Sequence, residues 1–153
     1  MNPLALRIPP LAVVAVAALA IIGAARAAPA LAFRVPGQPV AAAILVLAGG
    51  AVAAAGVASF RHLRTTVNPM SPERASALAT GGIYRYSRNP MYLGLLAALA
   101  GLALWVGNAL SLAVLPAFVA YMNQFQIKPE ETALLSRFGE PYARYRASVR
   151  RWI

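Results

Sequence analysis

The sequence predicts an all-α integral membrane protein: a bundle of about four transmembrane helices with short helices at the cytoplasmic surface. Hydrophobic residues make up 60% of the 153 residues and charged residues only 12%, whereas soluble domains average about 25% charged residues. Too few polar side chains are present to cover a water-soluble domain of this length. We therefore expect the chain to form one domain that lies in a bilayer.

Four apolar runs have about the length that crosses a hydrocarbon core, which takes ~17–25 residues. The last two runs are joined at Gly107-Asn108, so we expect these spans to form a tight antiparallel hairpin. Small residues at four-residue spacing, Gly49 with Ala53 and Gly94 with Ala98, allow helix backbones to approach closely. The predicted spans are 8–27, 40–60, 91–107 and 109–127.

Both chain termini are predicted to be cytoplasmic. Lys and Arg are enriched on the cytoplasmic side of membrane proteins. With four spans, twelve of the fourteen basic residues fall on one side and only Arg26 and Arg34 on the other. The run after Arg7, followed by Ala28-Pro29-Ala30, also has features of a secretory signal, but we expect it to be retained as a membrane anchor.

The titratable residues exclude several kinds of site. The chain has no cysteine and one histidine, His62, so we expect no disulfide, thiolate or multi-histidine metal centre. Fourteen basic residues against four acids give a formal charge of +10. Because the basic residues follow the predicted membrane edges, we expect membrane lipids and an anionic ligand as partners, and no nucleic acid.

The predicted cytoplasmic parts are the loop 61–90 and the tail 129–152. Residues 71–73 have the preferences of a helix start, which predicts a short helix that ends at 81–82. The tail is expected to form two short helices with a break near Gly139. In the second, an apolar stripe is typical of a helix at the membrane interface. Its members are Tyr142, Tyr145, Val149 and Trp152.

Two polar clusters flank the open end of the hairpin. Tyr84–Tyr92 precedes the third span and Gln126–Glu131 follows the fourth, so we expect them to face each other. Anchoring at the membrane interface would explain single arginines and tyrosines, and Pro129 with two glutamates also fits an ordinary helix start. Together the clusters suit an amphiphilic ligand, with arginine for a carboxylate and glutamate for hydroxyl or amino groups.

Polar side chains also continue into the last span. In an uninterrupted helix, Val119, Asn123, Gln126 and Glu130 would share one face. Polar groups at membrane depth usually face a cavity or a partner. The spacing therefore predicts an inward polar strip that ends in a carboxylate.

The run Thr80–Gly94 resembles a signature of the isoprenylcysteine carboxyl methyltransferase and phospholipid methyltransferase superfamily, with Arg88-Asn89-Pro90-Met91-Tyr92 at its centre. The tail resembles a second element of that superfamily. Its matching residues are Glu130, Glu131, Leu134, Phe138, Gly139, Tyr142, Tyr145, Val149 and Arg151. The two elements occur in order on either side of a helical hairpin, and the likeness runs from about Gly49 to Trp152.

The resemblance implies a small, bacterial-type integral membrane enzyme that transfers a methyl group from S-adenosylmethionine to a lipophilic or membrane-associated small acceptor, such as a carboxylate, amine or thiol. It implies a cofactor pocket open to the cytoplasm. Arg88 and Glu130 are implied as catalytic residues, with Arg88 on the methionyl carboxylate and a glutamate on the ribose or methionyl amine. The implied cofactor-binding residues are Tyr84, Arg88, Asn89, Pro90, Tyr92, Gly94, Gln126, Glu130, Glu131, Tyr142 and Tyr145.

The chain departs from the superfamily pattern at two positions. Asn89 stands where prenylcysteine enzymes have histidine, and Gln126 where many members have arginine. Two other interpretations stay open: an NADPH-dependent membrane enzyme similar to sterol reductases, which have a related motif, and a non-catalytic membrane scaffold of the same fold. The pair 130–131 together with Phe138-Gly139 favours the methyltransferase.

Overall fold

The computed structural model describes residues 6–63 and 75–153. As predicted, the described part of the chain is built from helices, with short 3₁₀ turns at Pro29–Leu31 and Gly82–Arg85. The helices are α1 (Pro10–Ala27), α2 (Gln38–His62), α3 (Pro90–Val106), α4 (Ala109–Leu112), α5 (Val114–Tyr121), α6 (Lys128–Phe138) and α7 (Glu140–Ser148). A π-helical segment, Met122–Ile127, joins α5 to α6.

The exposed apolar side chains and the lengths of the helices fit a membrane protein. Large apolar side chains such as Leu11, Leu19 and Leu47 are at least 70% exposed, which suits a lipid environment. Ile21, Leu99 and others are buried in a core between α1, α3 and α5. Helix α3 is apolar but has only 17 residues. Among residues 6–63 and 75–153, three segments are long and apolar enough to cross a membrane: Pro10–Ala27, Gln38–His62 and Ala109–Phe138.

Helices α2 and α3 pack with their backbones in contact, as the small residues predict. A Cβ added to Gly49 would lie 2.9 Å from the Ala98 backbone nitrogen, and one added to Gly94 would lie 2.8 Å from the Ala53 nitrogen. Further along, a Cβ on Gly101 would meet the α2 backbone in the same way. Only residues without a side chain fit at these positions.

The turn between α3 and α4 confirms the predicted hairpin. Gly107 ends α3 in the left-handed conformation, with φ of 66°, which favours glycine. Asn108 then caps α4: its Oδ1 accepts a hydrogen bond from the Leu110 backbone N–H at 2.9 Å. Its Nδ2 donates to the Ala28 carbonyl at 2.8 Å, so the loop after α1 is tied to the same end of the bundle.

The fourth span is longer than predicted. A second helix was expected to begin at Pro129, but the chain stays helical from Ala109 to Phe138. Pro129 has no N–H for the Phe125 carbonyl, and that carbonyl accepts a hydrogen bond from the Leu6 backbone N–H at 3.0 Å. The π-helical segment absorbs this irregularity, so the helix passes the proline without a break.

The predicted helix between 71–73 and 81–82 is wrong in its described part, because residues 75–80 are not helical. Residues 71–73 themselves lie outside the described residues. Ala75 and Ala79 are buried, and the Ala75 carbonyl accepts a hydrogen bond from Arg137 Nε at 3.4 Å. Packing against the tail therefore decides the conformation of this segment.

The tail breaks at Gly139, as predicted, where φ is 58°. The expectation of an interfacial helix with its aromatic stripe on lipid is wrong. Tyr142 and Tyr145 are 2% and 8% exposed and pack with Tyr84 in a buried cluster. The stripe also does not persist as a helix, because α7 ends at Ser148.

Candidate functional site

The two polar clusters meet where α3 begins and α6 runs past it. Pro90 is the first residue of α3. The side chain of Asn89, just before it, makes no capping hydrogen bond to the helix. Instead, Asn89 Nδ2 donates to the Arg151 carbonyl at 2.9 Å, and the Arg88 backbone N–H donates to the Arg150 carbonyl at 3.0 Å. The segment that follows α7 thus forms one side of the site.

Arg88, Glu131 and Arg151 form a charged cluster. Arg88 Nη2 lies 3.0 Å from Glu131 Oε1, and Arg151 Nη2 lies 2.7 Å from Glu131 Oε2. A second bond, from Arg151 Nε to Oε1 at 3.0 Å, makes that pair bidentate. The hydrogen bonds to Glu131 raise the pKa of Arg151. Glu131 is therefore fully engaged by this chain's own cations.

Glu130 has different surroundings. Its Oε1 accepts a hydrogen bond from the Tyr92 hydroxyl. Both ion pairs among the described residues involve Glu131, so Glu130 has no cationic partner there. The resemblance implied Glu130 as a catalytic residue and both glutamates as cofactor-binding residues, and it left open which of them binds the ribose or the methionyl amine. The structure distinguishes their surroundings, because Glu131 pairs with two arginines, whereas none of the described arginines pairs with Glu130.

Three buried tyrosines pack beside the charged cluster. The Tyr145 hydroxyl donates to the Tyr84 carbonyl at 2.8 Å. Burial raises the pKa of Tyr84 and Tyr145 well above the ordinary value, and burial followed by the charge of Glu131 raises the pKa of Tyr142 to about 12. All three hydroxyls therefore stay protonated near neutral pH and can donate hydrogen bonds.

Two side-chain atoms of this region are buried without a hydrogen-bond partner in the described part of the chain. They are the Tyr84 hydroxyl and Arg88 Nε. Arg88 Nη1 donates to the Arg146 carbonyl at 3.1 Å, so its Nε is left over after two other contacts. Buried polar groups are normally paired, and these two donors have capacity left for a ligand.

The polar strip of the last span lies partly inside the protein. Gln126 is fully buried; its Nε2 donates to the Ile8 carbonyl at 2.6 Å, while its Oε1 is buried without a partner. Asn123 Oδ1 accepts a hydrogen bond from Trp152 Nε1 at 3.1 Å. Gln126 thus contacts the segment before α1, and none of its hydrogen bonds reaches the Arg88 cluster.

The remaining predicted residue, Gly94, lies elsewhere. The resemblance implied that it binds the cofactor, but its open side is filled by Gly49 and Ala53 of α2. The close approach that Gly94 permits is therefore between helices. Conversely, the prediction omitted Arg151 from the site, although it belongs to the second motif.

Comparisons with known proteins agree with the motifs. Residues 38–141, which include Arg88 and both glutamates, match the phospholipid methyltransferase family. A 63-residue stretch is 49% identical to an uncharacterized protein of Haemophilus influenzae, covering 41% of this chain and all of that protein.

A 72-residue stretch is 35% identical to the protein-S-isoprenylcysteine O-methyltransferase of Schizosaccharomyces pombe. It covers 47% of this chain but only 30% of the yeast protein. No solved structure matches significantly. The family match spans more than half of the chain, from the start of α2 to the start of α7, and on this ground the chain belongs to the phospholipid methyltransferase family.

Proposed function

We propose that this integral membrane protein uses S-adenosylmethionine to methylate a lipophilic or membrane-associated acceptor. The observation that supports this most directly is the contrast between Arg88 and Glu130. Arg88 is a largely buried cation with an unused donor, and Glu130 has a carboxyl group without a cationic partner among the described residues. Together they complement a ligand that carries both an anionic and a hydrogen-bond-donating group, as an amino acid does.

The residues fit this cofactor in stated roles. Arg88 would bind the methionyl carboxylate in a charge-assisted hydrogen bond, and Glu130 would accept hydrogen bonds from the methionyl amine or the ribose hydroxyls. The protonated Tyr84 hydroxyl, buried and unpaired, supplies another donor. When bound, S-adenosylmethionine supplies a methyl group on a positively charged sulfur.

Catalysis of such a transfer needs alignment more than acid–base chemistry. Holding donor and acceptor in line and excluding water account for much of the rate enhancement in reactions of this kind. Tyr142 and Tyr145, almost fully buried, exclude water beside Arg88. The acceptor would reach the site from the bilayer, since the site lies at the end of apolar, lipid-exposed helices. A lipid carboxylate, amine or thiol suits this route.

The distribution of basic residues supports a cytoplasmic site. Arg26 and Arg34 lie at the end of the bundle where the chain passes from α1 to α2, opposite the Arg88 cluster. With the remaining described basic residues on the site's side, the positive-inside rule favours a site and termini that face the cytoplasm of a bacterial-type inner membrane. The soluble cofactor would then reach it directly.

Binding of labelled S-adenosylmethionine to the detergent-solubilised full chain tests the proposal. We expect saturable binding by the wild type, and affinities at least about tenfold weaker for Arg88→Ala and Glu130→Ala, since each removes a bond to a charged group. Arg85→Ala and Glu140→Ala are matched controls, because both side chains are exposed.

The alternatives give different results in the same assay. Saturable binding of NADPH with no binding of S-adenosylmethionine would point to a reductase and contradict the proposal. Equal binding of S-adenosylmethionine by the wild type and both site variants would place its pocket elsewhere. Tritium transfer to a lipid extract then separates an active enzyme from a scaffold that has kept the fold.

A further inference from the structure

The segment after α7 is hydrogen-bonded to the site and to the last long helix through Arg150, Arg151 and Trp152. The backbone carbonyls of Arg150 and Arg151 accept hydrogen bonds from the loop before α3, at 3.0 and 2.9 Å. Trp152 Nε1 donates to Asn123 Oδ1 on the last long helix at 3.1 Å. These bonds hold Arg151 between two elements and direct its guanidinium to Glu131.

The two arginines share Glu131 unequally. Arg151 contacts both carboxylate oxygens, at 3.0 and 2.7 Å, in the bidentate arrangement that gives strong and specific pairing. Arg88 contacts only Oε1, at 3.0 Å. Arg88 therefore has a weaker hold on Glu131 and retains a buried Nε without a partner in the described chain.

The balance of charge follows from this sharing. Two guanidinium groups and one carboxylate leave one net positive charge, and the Arg88 and Glu131 side chains are each only 10% exposed. Charges interact more strongly when water is largely excluded. Without Arg151, both oxygens of Glu131 would be free to pair with Arg88, and the remaining pair would be neutral and a poor site for an anion.

We propose that Arg151 is a positioning residue that occupies Glu131, so that the positive charge of Arg88 stays uncompensated and its free donor stays available for the carboxylate of S-adenosylmethionine. This inference rests on the proposed function, because the carboxylate belongs to the proposed methyl donor. Arg151 acts through Glu131 and does not itself touch the donor. Its loss therefore affects recognition of one chemical group rather than of the whole cofactor.

Two probes isolate that group: S-adenosylmethionine and its decarboxylated analogue. Binding is measured with the full chain in detergent. We expect the wild type to prefer S-adenosylmethionine by about tenfold or more. Arg151→Gln is expected to lose most of this preference, with weaker binding of S-adenosylmethionine and unchanged binding of the analogue. Arg150→Gln, which removes the same charge from an exposed neighbouring side chain, is expected to keep it.

A double variant distinguishes two roles of Arg151: occupying the Glu131 carboxylate, and only holding the segment after α7 in place. In Glu131→Gln/Arg151→Gln the carboxylate that competes for Arg88 is gone, so the preference for S-adenosylmethionine is expected to return. Arg151→Lys, which keeps the charge but not the bidentate geometry, is expected to lie between the wild type and Arg151→Gln. If Arg151→Gln does not fold, the double variant and Arg151→Lys are compared with the wild type instead.

Three results would overturn the inference. One is an equal loss of affinity for both probes in Arg151→Gln without recovery in the double variant, because this shows that Arg151 only attaches the tail. Another is a wild type that binds both probes equally well, because Arg88 then recognises no carboxylate. A wild type that binds neither probe contradicts the proposed function itself and, with it, this inference.

Discussion

The two ends of the helix bundle differ in how their buried polar side chains are bonded. Where α3 meets α4, Gln38, Asn108 and Ser111 are at most 8% exposed and their polar atoms are paired. Gln38 Oε1 accepts from the Val35 N–H and its Nε2 donates to the Leu104 carbonyl, at 3.0 and 2.7 Å. A cleft of about 460 Å³ opens here, but both polar atoms of Gln38, the buried polar side chain in its wall, already bond the protein.

At the other end, where α3 begins, bonding is incomplete. The Tyr84 hydroxyl, Arg88 Nε and Gln126 Oε1 are three of the four buried side-chain atoms without a partner among the described residues, the fourth being the Tyr121 hydroxyl. Leaving such a group unpaired costs about 1–3 kcal/mol. A fully paired end stabilises the fold, whereas an end with unused donors and acceptors has the capacity to bind a ligand.

The largest effect is expected from a variant that disrupts the packing of α2 against α3, the helix pair that connects the two ends. Gly94→Leu forces a side chain into the backbone of α2, where even a Cβ would lie 2.8 Å from the Ala53 nitrogen. We expect a loss of at least about 3 kcal/mol in unfolding free energy, measured by thermal unfolding in detergent. In the control Gly50→Leu, nothing lies within 4 Å of the added Cβ, and stability should change little. Equal stability of the two variants would refute the close helix contact.

A smaller effect tests the paired end. Asn108→Ala leaves the Leu110 N–H and the Ala28 carbonyl without their partners, so we expect about 1–3 kcal/mol of destabilisation. Binding of S-adenosylmethionine by the folded fraction should be unchanged. Gln124→Ala is the control, since the Gln124 side chain is exposed and its hydrogen bond among the described residues is with the exposed Lys128 side chain, and it should stay within about 0.5 kcal/mol of the wild type. Weakened binding in Asn108→Ala at full folding would mean that the two ends are coupled.

The smallest effect on stability is expected at the incompletely bonded end. Tyr84→Phe removes a hydroxyl that has no hydrogen-bond partner in the described part of the chain, so the unfolding temperature should stay the same or rise, while affinity for S-adenosylmethionine falls several-fold, by about 1 kcal/mol. Tyr145→Phe removes a hydroxyl that bonds the Tyr84 carbonyl and should cost about 1 kcal/mol of stability. If Tyr84→Phe proved the more destabilising of the two, the hydroxyl would have a structural partner and the contrast between the ends would fail.

Sequence patterns predicted the elements that depend on local chemistry. Apolar runs located α1, α2 and α3 to within about two residues, and Gly107 and Gly139 ended helices where expected. The small residues Gly49 and Gly94 predicted close helix packing. Each of these features follows from a preference that a few neighbouring residues determine by themselves.

Features that depend on contacts between distant residues were not predictable in this way. Pro129 has the properties of a helix start, but the π-helical segment lets the helix continue. The aromatic stripe of Tyr142 and Tyr145 suits a membrane surface as well as it suits a buried cluster, and only the position of Tyr84 decides between them. The unequal roles of Glu130 and Glu131, adjacent and chemically identical, follow from which of them Arg151 reaches.

The π-helical segment Met122–Ile127 also sets the rotational register of everything that follows it. Successive residues of an α-helix differ by about 100° around the axis. Deleting one residue here, so that an ordinary α-helix forms, would turn Glu131 away from Arg88 by about that angle and carry Glu130 away from Tyr92. A change of this segment's length by a single residue is therefore expected to separate the paired groups of the site even when every side chain is kept.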